Sequence, residues 1–143
     1  MNLQIKPVEM GICMSNGQSI LLSTTEKGRE SENLAYKYLI TKAYRLITEN
    51  YRAKCGEIDL IFFDRIKKEL VFVEVRSCFG ENKLLRYSLS QSKRMRLQKT
   101  IGHFCRSELC REWRKYPLRV DVVWVNQKLR FPHSIEHWIN ITI

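Results

Sequence analysis

Gly56-Glu57-Ile58-Asp59-Leu60-Ile61-Phe62-Phe63, the polar stretch Asp64–Glu69, and Leu70-Val71-Phe72-Val73-Glu74-Val75-Arg76 decide the reading of this chain. Two runs rich in β-branched and aromatic residues, separated by a short polar segment, describe a β-hairpin. The connection holds neither Gly nor Asn, so a loop of four residues or more is expected rather than a two-residue type I′ turn. Both runs are apolar nearly throughout, the pattern of strands covered on both faces. Each nonetheless carries ionisable groups in its middle, and buried acids need a partner or a task.

Strand side chains alternate, so Glu57 and Asp59 share one face, as do Glu74 and Arg76. With the loop centred between Ile66 and Lys67, Asp59 falls opposite Glu74 and Glu57 opposite Arg76; a two-residue slip changes the partners and keeps the faces. Two carboxylates opposed at roughly 5 Å between Cβ atoms repel each other and call for a cation between them. Carboxylate oxygens with open positions suit Mg²⁺ or Mn²⁺, which complete their shells with water and substrate phosphate. The matching substrate is a phosphodiester. For Glu57 alone, a cross-strand salt bridge to Arg76 is the structural alternative.

Upstream, Ser23 and Glu26 fit a capping box, and Leu34, Ala35, Tyr38 and Leu39 give a helical stripe, so a helix is expected from about Thr25 to Ala43. Gly28, Glu32, Ala35 and Leu39 lie along one side of it, which makes Glu32 a candidate third carboxylate; the alternative is a surface acid at the helix edge. Residues Arg45–Tyr51 read as a short strand and Leu118–Val125 as another, ahead of a short terminal element containing Trp138. Residues 1–25 read as a peripheral arm with one short strand at Ser19–Leu22, and residues 26–143 as a single domain.

The chain has 143 residues, 25 Lys+Arg against 15 Asp+Glu, and a net charge of +10, which points to a polyanionic partner. Residues 83–115 carry +8 of it. Within them Leu97, Ile101, Phe104 and Cys105 form the apolar stripe of an amphipathic helix, with Arg96, Lys99, His103 and Arg106 on the opposite face and Lys93 at its edge. Such a row suits a nucleic-acid backbone, and is otherwise a solvated helix face. The stripe is too modest for membrane insertion, and no apolar run is long enough for a transmembrane helix. Five cysteines without C-x-x-C spacing argue for reduced thiols in the cytoplasm, with no disulfide-linked partner. His133 and His137, four apart, are read as surface residues rather than a metal pair. No symmetric apolar seam is legible, so no homodimer is predicted.

The motifs together resemble the YraN-like family of bacterial endonuclease-type proteins. Gly28, Glu32 and Ala35 match a helical G-x-x-G-E-x-x-A, with Ser31 where Gly is usual. Asn50-Tyr51-Arg52 precedes Gly56-Glu57-Ile58-Asp59-Leu60-Ile61, Val71–Arg76 follows, Arg119-Val120-Asp121-Val122-Val123 resembles R-F-D-V-V, and Ile135-Glu136-His137 resembles I-E-H. The resemblance covers residues 28–143. It implies an α/β, restriction-endonuclease-like core, a central mixed β-sheet flanked by helices, and a PD-(D/E)xK-type site similar to that of Holliday-junction resolvases. Asp59 and Glu74 would hold the metal, and Glu32 would be the helical acid. Arg76 stands at the x-K position, where a Lys could orient or activate water; Arg stays protonated to above about pH 12 and cannot act as a base. Lys93 could supply the missing amine if its helix packs beside the strand.

Two functions remain open on the sequence. One is metal-dependent phosphodiester hydrolysis in DNA, directed by structure rather than by sequence, with Glu32, Asp59, Glu74 and Arg76 catalytic and Lys93, Arg96, Lys99 and Arg106 on the backbone. The other is a nucleic-acid-binding module without catalysis, its acids neutralised by Arg76.

Overall fold

The computed structural model describes residues 12–15, 18–21, 24–78, 89–130 and 134–143. The decisive hairpin forms with the expected register: β4 (Gly56–Asp64) and β5 (Glu69–Cys78) pair antiparallel from Asp64↔Glu69 to Leu60↔Val73. The four-residue loop Arg65–Lys68 lacks Gly, and Asp64 builds it instead. Its Oδ1 accepts from the backbone N–H groups of Ile66 and Lys67, both at 2.9 Å, and Lys68 takes the left-handed conformation at φ 59°.

Around the hairpin a five-stranded sheet runs in the order β3 (Tyr44–Ala53), β4, β5, β6 (Leu118–Asn126), β7 (Ile135–Trp138). β5 and β6 are parallel and the other neighbours antiparallel. A parallel pair needs a long crossover, and α2 (Gln91–Arg106) lies in it, followed by a 3-10 turn at Glu108–Cys110. Leu97, Ile101 and Phe104 of α2 pack on Ile58, Ile61, Phe72 and Val122. On the opposite face, Ala35 and Leu39 of α1 (Thr24–Thr41) pack on Leu60, Phe62, Val71 and Val73. The hairpin is therefore buried on both faces, as its composition requires. The result is an α/β fold with a mixed central sheet between two helices, the layout of a restriction-endonuclease-like core.

Several expectations need correction. β3 is longer than Arg45–Tyr51 because its ladder with β4 runs on through Tyr44↔Asp64 at one end and through Arg52↔Glu57 and Ala53↔Gly56 at the other. The arm holds two short strands, β1 (Ile12–Ser15) and β2 (Gln18–Leu21), which form a hairpin of their own. The Ser23 cap lies outside the described residues, as does His133. His137 is not a surface residue: its side chain is 5% exposed, and it sits in β7 with its Nε2 3.0 Å from Asp121 Oδ2. Cys55, Cys78, Cys105 and Cys110 are free thiols. Among the described residues no helix is long and apolar enough to cross a membrane.

Candidate functional site

The β4–β5 ladder stops at Leu60↔Val73, while β5 continues beside β6 to Cys78↔Asn126. The two hairpin strands therefore part just where their acids lie. Asp59 does not pair with Glu74 as a cross-strand neighbour; its Oδ2 accepts a 2.7 Å hydrogen bond from the backbone N–H of Val75. This bond fixes the Asp59 carboxylate in the gap. The expected Glu57–Arg76 pair does not form either: Glu57 meets Arg52 of β3 at 3.7 Å, and Arg76 meets Glu74 at 3.7 Å. The parting of the strands is the reason, since it removes Glu57 from the reach of β5.

On the other side of Asp59 the β3–β4 ladder is also interrupted. Pairing runs from Glu49↔Leu60 to Tyr51↔Ile58 without an Asn50–Asp59 pair, and Asn50 has φ 50°. Asn is among the few residues that tolerate this left-handed geometry. Its side chain favours the charged form of the Glu32 carboxylate of α1, while the Asp59 charge raises it, so Glu32 lies in the neighbourhood of Asp59. Gly28, Glu32, Asn50, Glu57 and Asp59 line one cleft of about 450 Å³. The sequence reading made Glu32 a candidate beside the site and quoted Asn50 in a motif without giving it a role; an Asn inside a strand pattern, near a predicted acid, was the available signal.

From the opposite helix comes Lys93. Its Nζ lies 2.9 Å from Glu74 Oε1, with only 24% of the side chain exposed. It thus belongs to the acidic site and not to the outer basic wall. Ser90 caps α2 by accepting from the Lys93 N–H, so the ammonium is delivered from the first turn of the helix. Close approach of α2 to the start of β4 depends on Gly56, at φ 155°, where a Cβ would fall 2.9 Å from Thr100 Oγ1. Arg76 stays exposed at the mouth, its guanidinium 6.0 Å over the Trp124 ring.

Burial and mutual repulsion set the electrostatics. Glu74 is 3% exposed; desolvation and the Asp59 charge push its carboxyl up to about 7, against the pull of Lys93 and Arg76. Asp59 is raised by desolvation despite the Val75 N–H and Lys93, and Glu32 by desolvation and by Asp59. Three acids displaced in the same direction mark a centre short of positive charge. Glu74 Oε2 is buried and has no hydrogen-bond partner among the described residues. No three of the described His, Cys, Asp and Glu residues could cage an ion unaided. A pair of carboxylates with one free buried oxygen fits Mg²⁺ or Mn²⁺, which take few protein ligands.

Arg96, Lys99 and Arg106 lie exposed on the outer face of α2, away from the buried Leu97, Ile101 and Phe104. Arg96 also lines a second cavity of about 530 Å³ with Arg52, Lys54, Glu57 and Lys93. Arg52 and Glu57 border both cavities, so the acidic cleft opens beside a basic one.

A second ionic cluster lies on the α1 side of the sheet. Buried Arg119 reaches Asp64 Oδ2 and Asp121 Oδ1, each at 3.1 Å, and also Glu69 and the Tyr44 hydroxyl. Asp121 further accepts from the Asn140 N–H at 2.9 Å and meets His137. Its partners hold the Asp121 carboxyl below the usual range, and loop N–H groups with Arg119 do the same for Asp64. The Arg-x-Asp and Ile-Glu-His motifs thus serve the framework.

Comparison with known proteins places residues 31–125 on the model of the Uncharacterised protein family UPF0102. A UPF0102 protein of Thermodesulfovibrio yellowstonii is 35% identical over 120 residues, covering 81% of this chain and 95% of the relative. One of Thermotoga maritima is 37% identical over 114 residues, covering 79% and 94%. The solved structure of Pyrococcus furiosus SfsA in complex with Ca²⁺ aligns over 90% of this chain and 69% of that one, at 14% identity and a TM-score of 0.36, too low to carry any argument.

Proposed function

The chain belongs to UPF0102, the YraN-like family, and from that premise we propose that its acidic cleft hydrolyses phosphodiester bonds in DNA with Mg²⁺ or Mn²⁺ held by Asp59 and Glu74. The observation that carries the reading is the unpartnered Glu74 Oε2, buried beside Asp59 in a site where three carboxyls are all shifted toward the protonated form. Bound there, the ion supplies Lewis acidity at a phosphoryl oxygen and lowers the pKa of a bound water.

The chain's own residues do the rest. Val75 N–H holds Asp59, and Lys93 holds Glu74 by one oxygen, leaving the other free. Lys93 brings from a helix the amine that strand position 76 lacks. Arg76, exposed and permanently charged, contacts the phosphate and stabilises charge developing on it. Glu32, beside Asn50 in the cleft, is a carboxyl displaced toward its protonated form by burial and by Asp59, and can pass a proton with solvent. Arg96, Lys99 and Arg106 hold the flanking backbone. None of these cations is arranged to read base edges, so the enzyme selects DNA structure rather than sequence. Free thiols and this substrate fit a cytoplasmic protein.

One observation favours a second reading, a DNA-binding module without catalysis: Lys93 and Arg76 already provide positive charge at Glu74. The test is incubation of the protein with branched, nicked and single-stranded DNA in Mg²⁺ and in EDTA, with Asp59→Ala alongside. The nuclease reading expects metal-dependent cutting, reduced at least about a hundredfold in Asp59→Ala. Binding unaffected by metal and no cutting of any substrate would leave the second reading.

A further inference from the structure

Beyond the acidic cleft, at the loop end of the hairpin, three aromatic rings pack together. Phe63 lies 4.8 Å from Trp113 and 4.7 Å from Tyr116, centroid to centroid. They line a surface cavity of about 470 Å³, within the range that accommodates small ligands. Phe63 is buried and acts as the floor, whereas Trp113 and Tyr116 are only half-buried and keep part of their surface in water.

The rim is cationic. Arg45, Arg65, Lys68 and Lys115 surround the rings against a single acid, Glu112. The Arg45 guanidinium lies 5.4 Å over the Trp113 ring, and the Lys115 ammonium 5.2 Å over that of Tyr116. Among the described residues none of these four cations takes part in an ion pair or a side-chain hydrogen bond. Arg114, next to them in sequence, is different: its guanidinium donates to the carbonyls of Cys105, Arg106 and Ser107 and is spent on closing the end of α2.

Four unpaired cations around aromatic faces constrain the ligand. A small anion would leave the rings unused, and an apolar peptide would leave the charges unused. Duplex DNA offers phosphates but keeps its base faces within the stack. Unpaired nucleotides satisfy both halves, since each base has a face for stacking and each phosphate a charge. We propose that this pocket is a subsite for single-stranded DNA, with a base stacked against Trp113 or Tyr116 and adjacent phosphates on Arg65, Lys68 and Lys115.

Phe63 and Asp59 belong to the same strand, four residues apart, or about 13 Å at roughly 3.3 Å per residue. Trp113 packs with the α2-side core, the side from which Lys93 enters the cleft. A strand of a few nucleotides can therefore join the two sites, and the substrate would carry an unpaired segment beside the scissile bond. That connection rests on reading the cleft as a DNA-hydrolysing site; binding to the aromatic pocket does not.

The experiment measures binding of labelled oligothymidylate, and of a duplex of equal length, to the full chain in EDTA, so that hydrolysis plays no part. The single strand should bind more tightly than the duplex and quench tryptophan fluorescence. Trp113→Ala should weaken single-strand binding roughly tenfold to a hundredfold. Because that variant removes a packed ring, Arg65→Glu combined with Lys115→Glu, both exposed positions, gives an independent reading. It should weaken single-strand binding at least about tenfold and lower the salt dependence by roughly 0.7 per cation lost. Binding within twofold of the unaltered protein in both variants, or a preference for duplex, would overturn the subsite. Metal-dependent cutting and its loss in Asp59→Ala are scored separately, so either conclusion can fail while the other stands.

Discussion

Two ionic clusters occupy the same sheet, and they are built to opposite rules. Around Arg119, every acid has a donor aimed at it: Asp64 has two loop N–H groups, Asp121 has Asn140 N–H and His137, and both share the guanidinium. Their carboxyls sit below the ordinary 3.8. Around Lys93, Asp59, Glu74 and Glu32 sit above their ordinary values, and one Glu74 oxygen has no hydrogen-bond partner among the described residues. A satisfied buried cluster is a framework device, and an unsatisfied one holds charge in reserve for a ligand. Family motifs alone do not separate the two, because both clusters are drawn from them.

The largest effect that could break this contrast is Arg119→Met. Removing the guanidinium leaves Asp121 and Asp64 buried without their cation, so stability should fall by about 3–5 kcal/mol. Chemical denaturation measures it. A loss under about 1 kcal/mol would mean that the cluster is not the framework described.

Glu74→Gln, by contrast, should stabilise the metal-free protein at alkaline pH. The folded value of about 7 lies above the ordinary 4.5, so the contribution of Glu74 is complete below about 4.5 and lost as pH rises through 7. For Asp64 and Asp121 the sign reverses: their contribution is complete above 3.8 and lost as pH falls through their folded values. Thermal melts should therefore place Glu74→Gln above the unaltered protein by about 3 kcal/mol at pH 8 and level with it at about pH 4. Equal melts at both values would remove the claimed charge deficit.

Lys93→Met separates the two roles of that lysine. Losing a cation beside two carboxylates should tighten Mn²⁺ binding, while cleavage falls roughly tenfold or more. A parallel fall in both would make Lys93 a structural prop.

Much of this was legible in the sequence. The hairpin register and the basic helix follow from local periodicity, which dominates in strands covered on both faces, and the helix stripe with the family motifs pointed to Glu32 as a neighbour of Asp59 and Glu74. What failed depends on where periodicity stops. Simple alternation predicted a Glu57–Arg76 pair, but the strands part beyond Leu60 and Val73, because β5 goes on with β6. Asn50 interrupts the ladder on the other edge, and no pattern of apolar residues encodes that. Lys93 read as a cation at the edge of the basic face that could supply the missing amine, but its entry into the cleft depends on the close approach of α2 to Gly56, a tertiary fact that spacing does not encode. The Arg119 cluster was visible only as separate motifs, since its members come from five strands.

The central claim is that Asp59 and Glu74 form an unfilled carboxylate pair shaped for a divalent metal. Isothermal titration of Mn²⁺ into the unaltered protein and into Asp59→Ala tests it most directly. Saturable binding that disappears in Asp59→Ala is the predicted result. Absence of binding to the unaltered protein, or binding that persists in Asp59→Ala, would contradict it and leave Lys93 and Arg76 as the cations that Glu74 meets.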